Sequence, residues 1–359
     1  MSDRVDVIVA GGGIVGAATF YELASRGHSV TLLERSVVAS GATAWSGGVV
    51  RIMHDDSESA DRAIYGWRFY RSLAARGIDV PFHMTGFLYF PRPEARAAAR
   101  LETHRLRREV PIAWLDEIAL ERRFGHLLAD ASGGAVWEPD SGWIDPRDVT
   151  RALVRAGVQH GGRLVEGVEL LHLDRSEGVR AETTAGALHA RAIVFATGVR
   201  TPGLLDALGI EHDLFNRDIQ VDVRAPHEGP RDQPAFIDDV YDLNGRPDPG
   251  SDAVLIGHPT GQDSVSLDPA PIRPAHSRRI VAEGRKRFAW IDDSESRGGR
   301  RHPECYAPDP LARVQAADER GDVVIATGFS GGGLKMAPWA ANHVVGLLAD
   351  VIDPARSTR

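Results

Sequence analysis

Cysteine is almost absent from this chain of 359 residues: Cys305 stands alone, which excludes an internal disulfide and any cysteine cluster for zinc or iron–sulfur. Lysine is nearly as scarce, with Lys286 and Lys335 the only two among 42 basic residues. Arginine suits fixed ion pairs, whereas lysine is a compact charge with a tunable pKa, so the two survivors stand out. No apolar run approaches the roughly 20 residues of a membrane helix, and no secretory segment precedes the first apolar stretch. A net charge of −8 gives no global attraction to nucleic acid or to an anionic membrane. These deficits lead to the expectation of a cytoplasmic protein, monomeric or homodimeric, without a nucleic-acid partner, a membrane span or a metal. Apolar residues make up 43% of the chain, enough for two domains with cores of their own.

What is present begins with Val5-Asp6-Val7-Ile8-Val9-Ala10-Gly11-Gly12-Gly13-Ile14-Val15-Gly16, followed by Val30-Thr31-Leu32-Leu33-Glu34-Arg35. This reads as a buried strand, a glycine turn, a helix, and a second buried strand ending in a carboxylate. Gly11 permits the tight turn, Gly13 lets backbone approach a pyrophosphate, and Gly16 lets helix pack on strand. The helix start faces the phosphate charge, and Glu34 stands where an acid accepts hydrogen bonds from a ribose. The pattern predicts a dinucleotide site. Phe20 departs from it, since a small residue commonly lets the helix pass the sheet there.

Helical spacing runs from Ser57 to Arg76, Thr85–Phe90 reads as a strand, and Pro91–Arg108 as an Arg/Ala-rich helix. Asp145-Pro146 opens a helix through about His160, and Leu164–Val194 is rich in strand formers, ending in Ala196-Thr197-Gly198. Asp213–Pro308 looks irregular, with short strand candidates at Ile219–Val223 and Val254–Gly257. Asp322–Gly328 repeats the strand-then-Ala-Thr-Gly pattern ahead of a last helix. Strands of the nucleotide domain thus recur at the start, near Val194 and near Val324. We expect that domain to be discontinuous, over 1–80, 143–208 and 309–359, with a substrate domain at 81–142 and 209–308. Such interleaving favours a flavoprotein over a nicotinamide dehydrogenase.

Three further stretches carry a resemblance: Ala39-Ser40-Gly41-Ala42 through Gly47-Gly48 and Arg51; Thr85-Gly86-Phe87-Leu88 with Gly142-Trp143-Ile144-Asp145-Pro146; and Gly328-Phe329-Ser330-Gly331-Gly332-Gly333-Leu334-Lys335-Met336-Ala337-Pro338. In order and content the chain resembles the FAD-dependent amine and amino-acid oxidase family of D-amino-acid oxidase, glycine oxidase and monomeric sarcosine oxidase. The resemblance implies an α/β (α+β) fold, a discontinuous Rossmann-like FAD-binding domain with an inserted antiparallel-sheet substrate domain. It also implies that FAD is bound by Gly11, Gly13, Ile14, Val15, Gly16, Glu34, Arg35, Ser40, Thr43, Val168, Thr197, Gly198, Gly331, Gly332, Gly333, Leu334 and Lys335.

For the reaction, the resemblance points to Lys335 as a contact for a substrate carboxylate; a cation at a helix start is otherwise electrostatically disfavoured. Arg51 matches an arginine beside the flavin. His54 stands where the family has a second, carboxylate-clamping arginine, so the substrate's carboxylate is held differently or is missing. His258 resembles the active-site histidine of sarcosine oxidase, and could equally be a core or turn histidine. Leu255 replaces the lysine that promotes oxygen attack, so the electron acceptor is oxygen or another molecule. Tyr241 is a further candidate for shaping the pocket. The family's covalent flavin link uses a cysteine one residue removed from a tyrosine. Here Cys305 adjoins Tyr306, and a one-residue shift in an extended segment turns a side chain to the other face, so non-covalent FAD is expected. The reaction implied is hydride transfer to flavin N5 from a small amine or amino-acid substrate, giving an imine that hydrolyses. A 2-hydroxy-acid dehydrogenase and a flavin-binding redox sensor without turnover are the alternatives.

Overall fold

The computed structural model describes residues 4–353 apart from 177, 228–231, 249, 265 and 310. Val5–Ala10, apolar at all but one position, is the middle strand of a parallel sheet. It pairs with Val30–Leu33 on one side and with Ala190–Phe195 on the other. Arg163–Glu166 extends the sheet beyond Val30–Glu34, and Val323–Thr327 extends it beyond Gly186–Phe195. Antiparallel strands Leu170–Asp174, Val179–Thr183 and Arg313–Ala316 complete it.

The helix Ile14–Ser25 packs against Pro146–Gln159 and Gly333–Ile352, and the three share one apolar cluster. Phe20 is fully buried there. Its ring occupies space vacated by Gly157 and Gly162, where an added Cβ would stand 2.5 Å from ring carbons. The bulky residue that departs from the usual pattern is thus accommodated by glycines on the opposing helix and at its exit.

A second eight-stranded sheet runs, in spatial order, Ser294–Tyr306, Phe215–Pro226, Val254–Gly257, Leu243–Pro247, Ala235–Asp238, Phe87–Phe90, Ala135–Glu138 and Ala113–Leu115. All neighbours are antiparallel except Ala235–Asp238 with Phe87–Phe90. The region 213–308 is therefore far more regular than its composition implies. Alternating residues have two fates, as the pleat demands. Leu88, Phe90, Phe236, Val254 and Ile256 join an outer cluster with Leu120 and Ile280 of the covering helices. Phe87, Tyr89, Val136 and Ala235 face inward and merge with the nucleotide-side core. Two helices are shorter than expected. Ser57–Arg71 is followed by a separate turn at Ala74–Arg76, and the Arg/Ala-rich helix covers only Arg96–Leu106.

Gly157→Ala tests the Phe20 fit. Overpacking against a fully buried ring should cost roughly 1–3 kcal/mol in chemical denaturation, and the loss should shrink when Phe20→Leu is added.

Candidate active site

The loops following all five parallel strands open on one cavity of about 640 Å³. Gly11 (φ 106°) begins the first loop, and a Cβ there would collide with the Ala196 carbonyl oxygen. A Cβ on Gly16 would collide with the Gly11 oxygen, so neither position admits another residue without a backbone shift. The amide of Ile14 donates to Thr43 Oγ1 (3.0 Å), fixing the second loop against the start of the first helix. Glu34 accepts from the amides of Gly12 (2.7 Å) and Ser36 (2.8 Å), which aims its carboxylate at the glycine turn. Val168 is tied to the same strand end through its amide and the Glu34 carbonyl (3.0 Å).

The wall includes Gly11, Gly13, Ile14, Val15, Glu34, Arg35, Ser40, Thr43, Val168, Thr197, Gly198, Gly331, Gly333 and Leu334. Gly16, Gly332 and Lys335 are not among the residues that line it. Both ends of the chain thus meet at one cavity. Its chemistry fits FAD: bare glycine amides at a helix start, a carboxylate at the second strand's end, and a second glycine turn ahead of the last helix. Two buried polar atoms of wall residues, Trp45 Nε1 and Asn216 Oδ1, have no partner within the protein. Neither residue carried a sequence signal.

Lys335 is placed by the helix Ser57–Arg71. Gly66 touches the Lys335 backbone so closely that a Cβ would strike its carbonyl, and Tyr70 Oη donates to the Leu334 carbonyl (2.6 Å). The lysine is 9% exposed, and its Nζ folds back to 3.1 Å from where a Gly332 Cβ would stand. Burial, then the charge of Arg51, holds its pKa well below the ordinary lysine value, with Glu304 acting in the opposite direction. Arg51 is itself lowered by burial, against the pull of Glu138 first. Its guanidinium lies 5.6 Å from the Phe87 ring centre, and its Nε has no partner.

Glu138, fully buried on the inner sheet face, accepts from the amides of Ile52 (2.8 Å) and Met53 (2.6 Å) and from Ser141 Oγ. This carboxylate shapes the Arg51–His54 segment from more than 80 residues away in sequence. His54 Nδ1 lies 2.9 Å from the Ile52 carbonyl. A carbonyl can only accept, so Nδ1 carries the hydrogen and Nε2 is left as an acceptor, buried and unpartnered. Burial, then Arg51 and Lys335, holds this imidazole well below its ordinary pKa, in the neutral form.

Glu304 joins this group without having been singled out in the sequence. It lines the cavity, its side chain is 18% exposed, and burial pushes its carboxyl up to about 7 while Lys335 pulls it down.

Two candidates lie elsewhere. His258 follows Gly257, and it is Gly257 and Leu255 that pair with inward-facing Val221 and Val223. His258 is one residue out of phase: its ring packs 5.7 Å from His276 of the outer helix, and its Nδ1 lies 2.8 Å from the Pro259 carbonyl. Tyr241 packs on the outer cluster and donates to Asp130 (3.0 Å). The structure brings neither to Lys335. Cys305, between inward-facing Glu304 and Tyr306, packs with Leu214 and Ala307 and also lines the cavity. Burial raises its thiol pKa.

The model of the family described as DAO, FAD dependent oxidoreductase, matches residues 6–347, and this chain belongs to that family. Glycine oxidase of Geobacillus kaustophilus (strain HTA426) is 29% identical over 226 residues, covering 60% of each chain. The 4-methylaminobutanoate oxidase (formaldehyde-forming) of Paenarthrobacter nicotinovorans is 25% identical over 389 residues, 98% of this chain and 46% of that one. The matches therefore span less than two thirds of these relatives' own lengths. Among solved structures, L-proline dehydrogenase from P. horikoshii superposes with a TM-score of 0.87 at 21% identity, over 99% of this chain and 95% of that one. Glycine oxidase from G. kaustophilus gives 0.83 at 21% identity, over 98% and 95%. These two likenesses establish the fold. Among the described residues no helix is long and apolar enough to cross a membrane.

Glu138→Gln keeps the shape of the side chain but leaves one oxygen to serve donors that now share two. The expected cost is about 1–3 kcal/mol in denaturation, with a weakened affinity for substrate as the Arg51–His54 segment loosens.

Proposed function

We propose that this chain uses FAD to oxidise the C–N bond of an amino acid or N-alkyl amino acid. The observation that carries the reading is the cavity itself, walled by both glycine turns, together with two buried cations: Lys335, which follows the wall residue Leu334, and Arg51, whose charge acts on Lys335. Like charges buried together are unfavourable unless an anion comes between them, and a substrate carboxylate is such an anion. Its binding reverses the depression of Lys335 and makes both contacts charge-assisted. Neutral His54 adds no third positive charge and offers Nε2 to a substrate N–H, consistent with its standing where a clamping arginine is otherwise expected.

The chemistry that bound FAD supplies is acceptance of a hydride from the carbon bearing the amine; the resulting imine hydrolyses in water. The protein's share is orientation and electrostatics. The amides of the Gly331–Gly333 turn and the start of the helix Gly333–Ile352 favour negative charge at that end of the cavity. Leu255, apolar and inward-facing, supplies no cation for an oxygen reaction, so the acceptor is oxygen or another molecule. The offset of Cys305, which adjoins Tyr306 instead of standing one residue away from it, supports non-covalent FAD.

The absorbance spectrum of the purified protein, before and after acid precipitation, should show a flavin that leaves with the supernatant. Under anaerobic conditions, amino acids or N-methyl amino acids should bleach it. Bleaching by 2-hydroxy acids alone would overturn the reading. Lys335→Met should retain flavin and raise KM for a carboxylate-bearing amine by roughly 10- to 100-fold, the worth of one charged hydrogen bond.

A further inference from the structure

Resting on the amine-oxidation reading, we infer that Tyr89, Asp55 and Asp239 form a proton-dependent clasp that positions Arg51 and His54 for the substrate's carboxylate. Tyr89 Oη lies 2.7 Å from Asp55 Oδ1 and 2.7 Å from Asp239 Oδ2. A phenol has one hydrogen to give and an ionised carboxylate has none, so two ionised carboxylates cannot both be satisfied there. A second proton completes the arrangement: one acid donates to Tyr89 Oη, and Tyr89 donates to the other. The parts are placed to hold the segment. Tyr89 is 3% exposed on the inner sheet face, beside Ile237 and Val136. Asp239 follows the strand Ala235–Asp238, and its amide donates to the Phe90 carbonyl (3.0 Å), so both partners are fixed to the sheet. Asp55 belongs to the segment itself, between His54 and Asp56, whose side chain caps the helix Ser57–Arg71. Glu138 holds the segment at the amides of Ile52 and Met53, and the clasp is a second tether on the far side of His54.

The surrounding charges decide where the second proton resides. Arg51 and Arg92 act on Asp239 as cations, and Arg92 is also paired with Asp242 (2.9 Å). Glu138 acts on Arg51 from the neighbouring strand, while Arg51 and Lys335 act on His54. Asp238 takes no part, because it faces outward and pairs with Arg287 (2.6 Å). Burial above all, aided by Asp55, raises the Asp239 carboxyl above its ordinary range, against Tyr89, Arg51 and Arg92. Burial, then the two acids, keeps the hydrogen on Tyr89. The chain of bonds therefore runs from the Asp239 acid to Tyr89 and from Tyr89 to Asp55. As pH rises the Asp239 proton leaves to water. Two carboxylates then compete for one hydrogen, one bond is lost, and exposed Asp55 turns to solvent. Of the two tethers only Glu138 is left.

The test uses the FAD-loaded protein and two readouts across pH. One is chemical denaturation. The other is the amine concentration that half-saturates anaerobic flavin bleaching, with the fastest of glycine, sarcosine, L-proline and 4-methylaminobutanoate as probe. The amide introduced by Asp55→Asn donates to Tyr89 Oη without titrating, and Tyr89 donates to the Asp239 carboxylate, so this variant stays clasped at every pH. As Asp239 ionises, the wild type should come to need about 10-fold more amine than Asp55→Asn, the worth of one hydrogen bond. Taking the ratio at each pH cancels the titrations of substrate and of Lys335. A carboxyl whose pKa is raised by folding contributes stability at low pH that is lost as pH rises through the folded value, so the wild-type denaturation midpoint should fall relative to Asp55→Asn over the same interval. Tyr89→Phe should saturate weakly throughout, without a break. A ratio of wild type to Asp55→Asn that is constant with pH would overturn the clasp, as would a Tyr89→Phe that saturates like the wild type. If Tyr89→Phe does not fold, the ratio alone decides. If no amine bleaches the wild type, the amine-oxidation reading fails, and the denaturation midpoints still judge the clasp: a difference between wild type and Asp55→Asn that ignores pH sinks it.

Discussion

In a parallel sheet every carboxyl end lies at the same edge, and the rest of this molecule follows from that constraint. Val5–Ala10 sits between Val30–Glu34 and Gly186–Phe195, with Arg163–Glu166 and Val323–Thr327 flanking them. Whatever follows each strand must emerge at one rim. Turns drawn from positions 11, 35, 168, 197 and 328 therefore share a cavity, although most of the chain separates the first from the last. The second sheet closes that rim with its inner face, and its pleat decides which side chains reach the chamber.

At and beside the chamber, charge is put where water is scarce. Burial depresses Lys335 and Arg51 and raises Glu304, so each group is moved toward its neutral form. Such an arrangement is strained electrostatically while empty of ions and relaxes when a ligand of complementary charge enters. Glu138 has a different part. It is saturated by backbone donors and holds the Arg51–His54 segment in shape, so its removal acts on geometry rather than on chemistry.

Parts of this were legible in the sequence because local chemistry demanded particular residues. Gly11 and Gly16 stand where a Cβ has no room, and Asp145 accepts from the amides of Arg147 and Asp148 at a helix start. The strand Ser294–Tyr306 was illegible. It contains Gly298, Gly299 and a run of arginines, poor strand formers whose conformation is imposed by pairing with Phe215–Pro226. Glu304 was hidden inside it for the same reason. His258 shows a different limit: the strand Val254–Gly257 was recognised, yet its phase depended on the pairing of Leu255 with Val223 and of Gly257 with Val221, partners 32 and 36 residues upstream. Glu138 acts on amides 85 and 86 residues away, which no window of local sequence reveals.

The hydrogen bond from Tyr70 to the Leu334 carbonyl joins residues 264 apart in the chain. Closing a loop of that size before gaining any contact is entropically slow, and Lys335 is set in place only when it closes. On the ribosome, the nucleotide turn at 11–16 emerges more than 300 residues ahead of its opposite wall at 328–334. The growing polypeptide therefore carries half a binding site while those intervening residues are made, and capture of the prosthetic group becomes a closing event for this region rather than a nucleus for it.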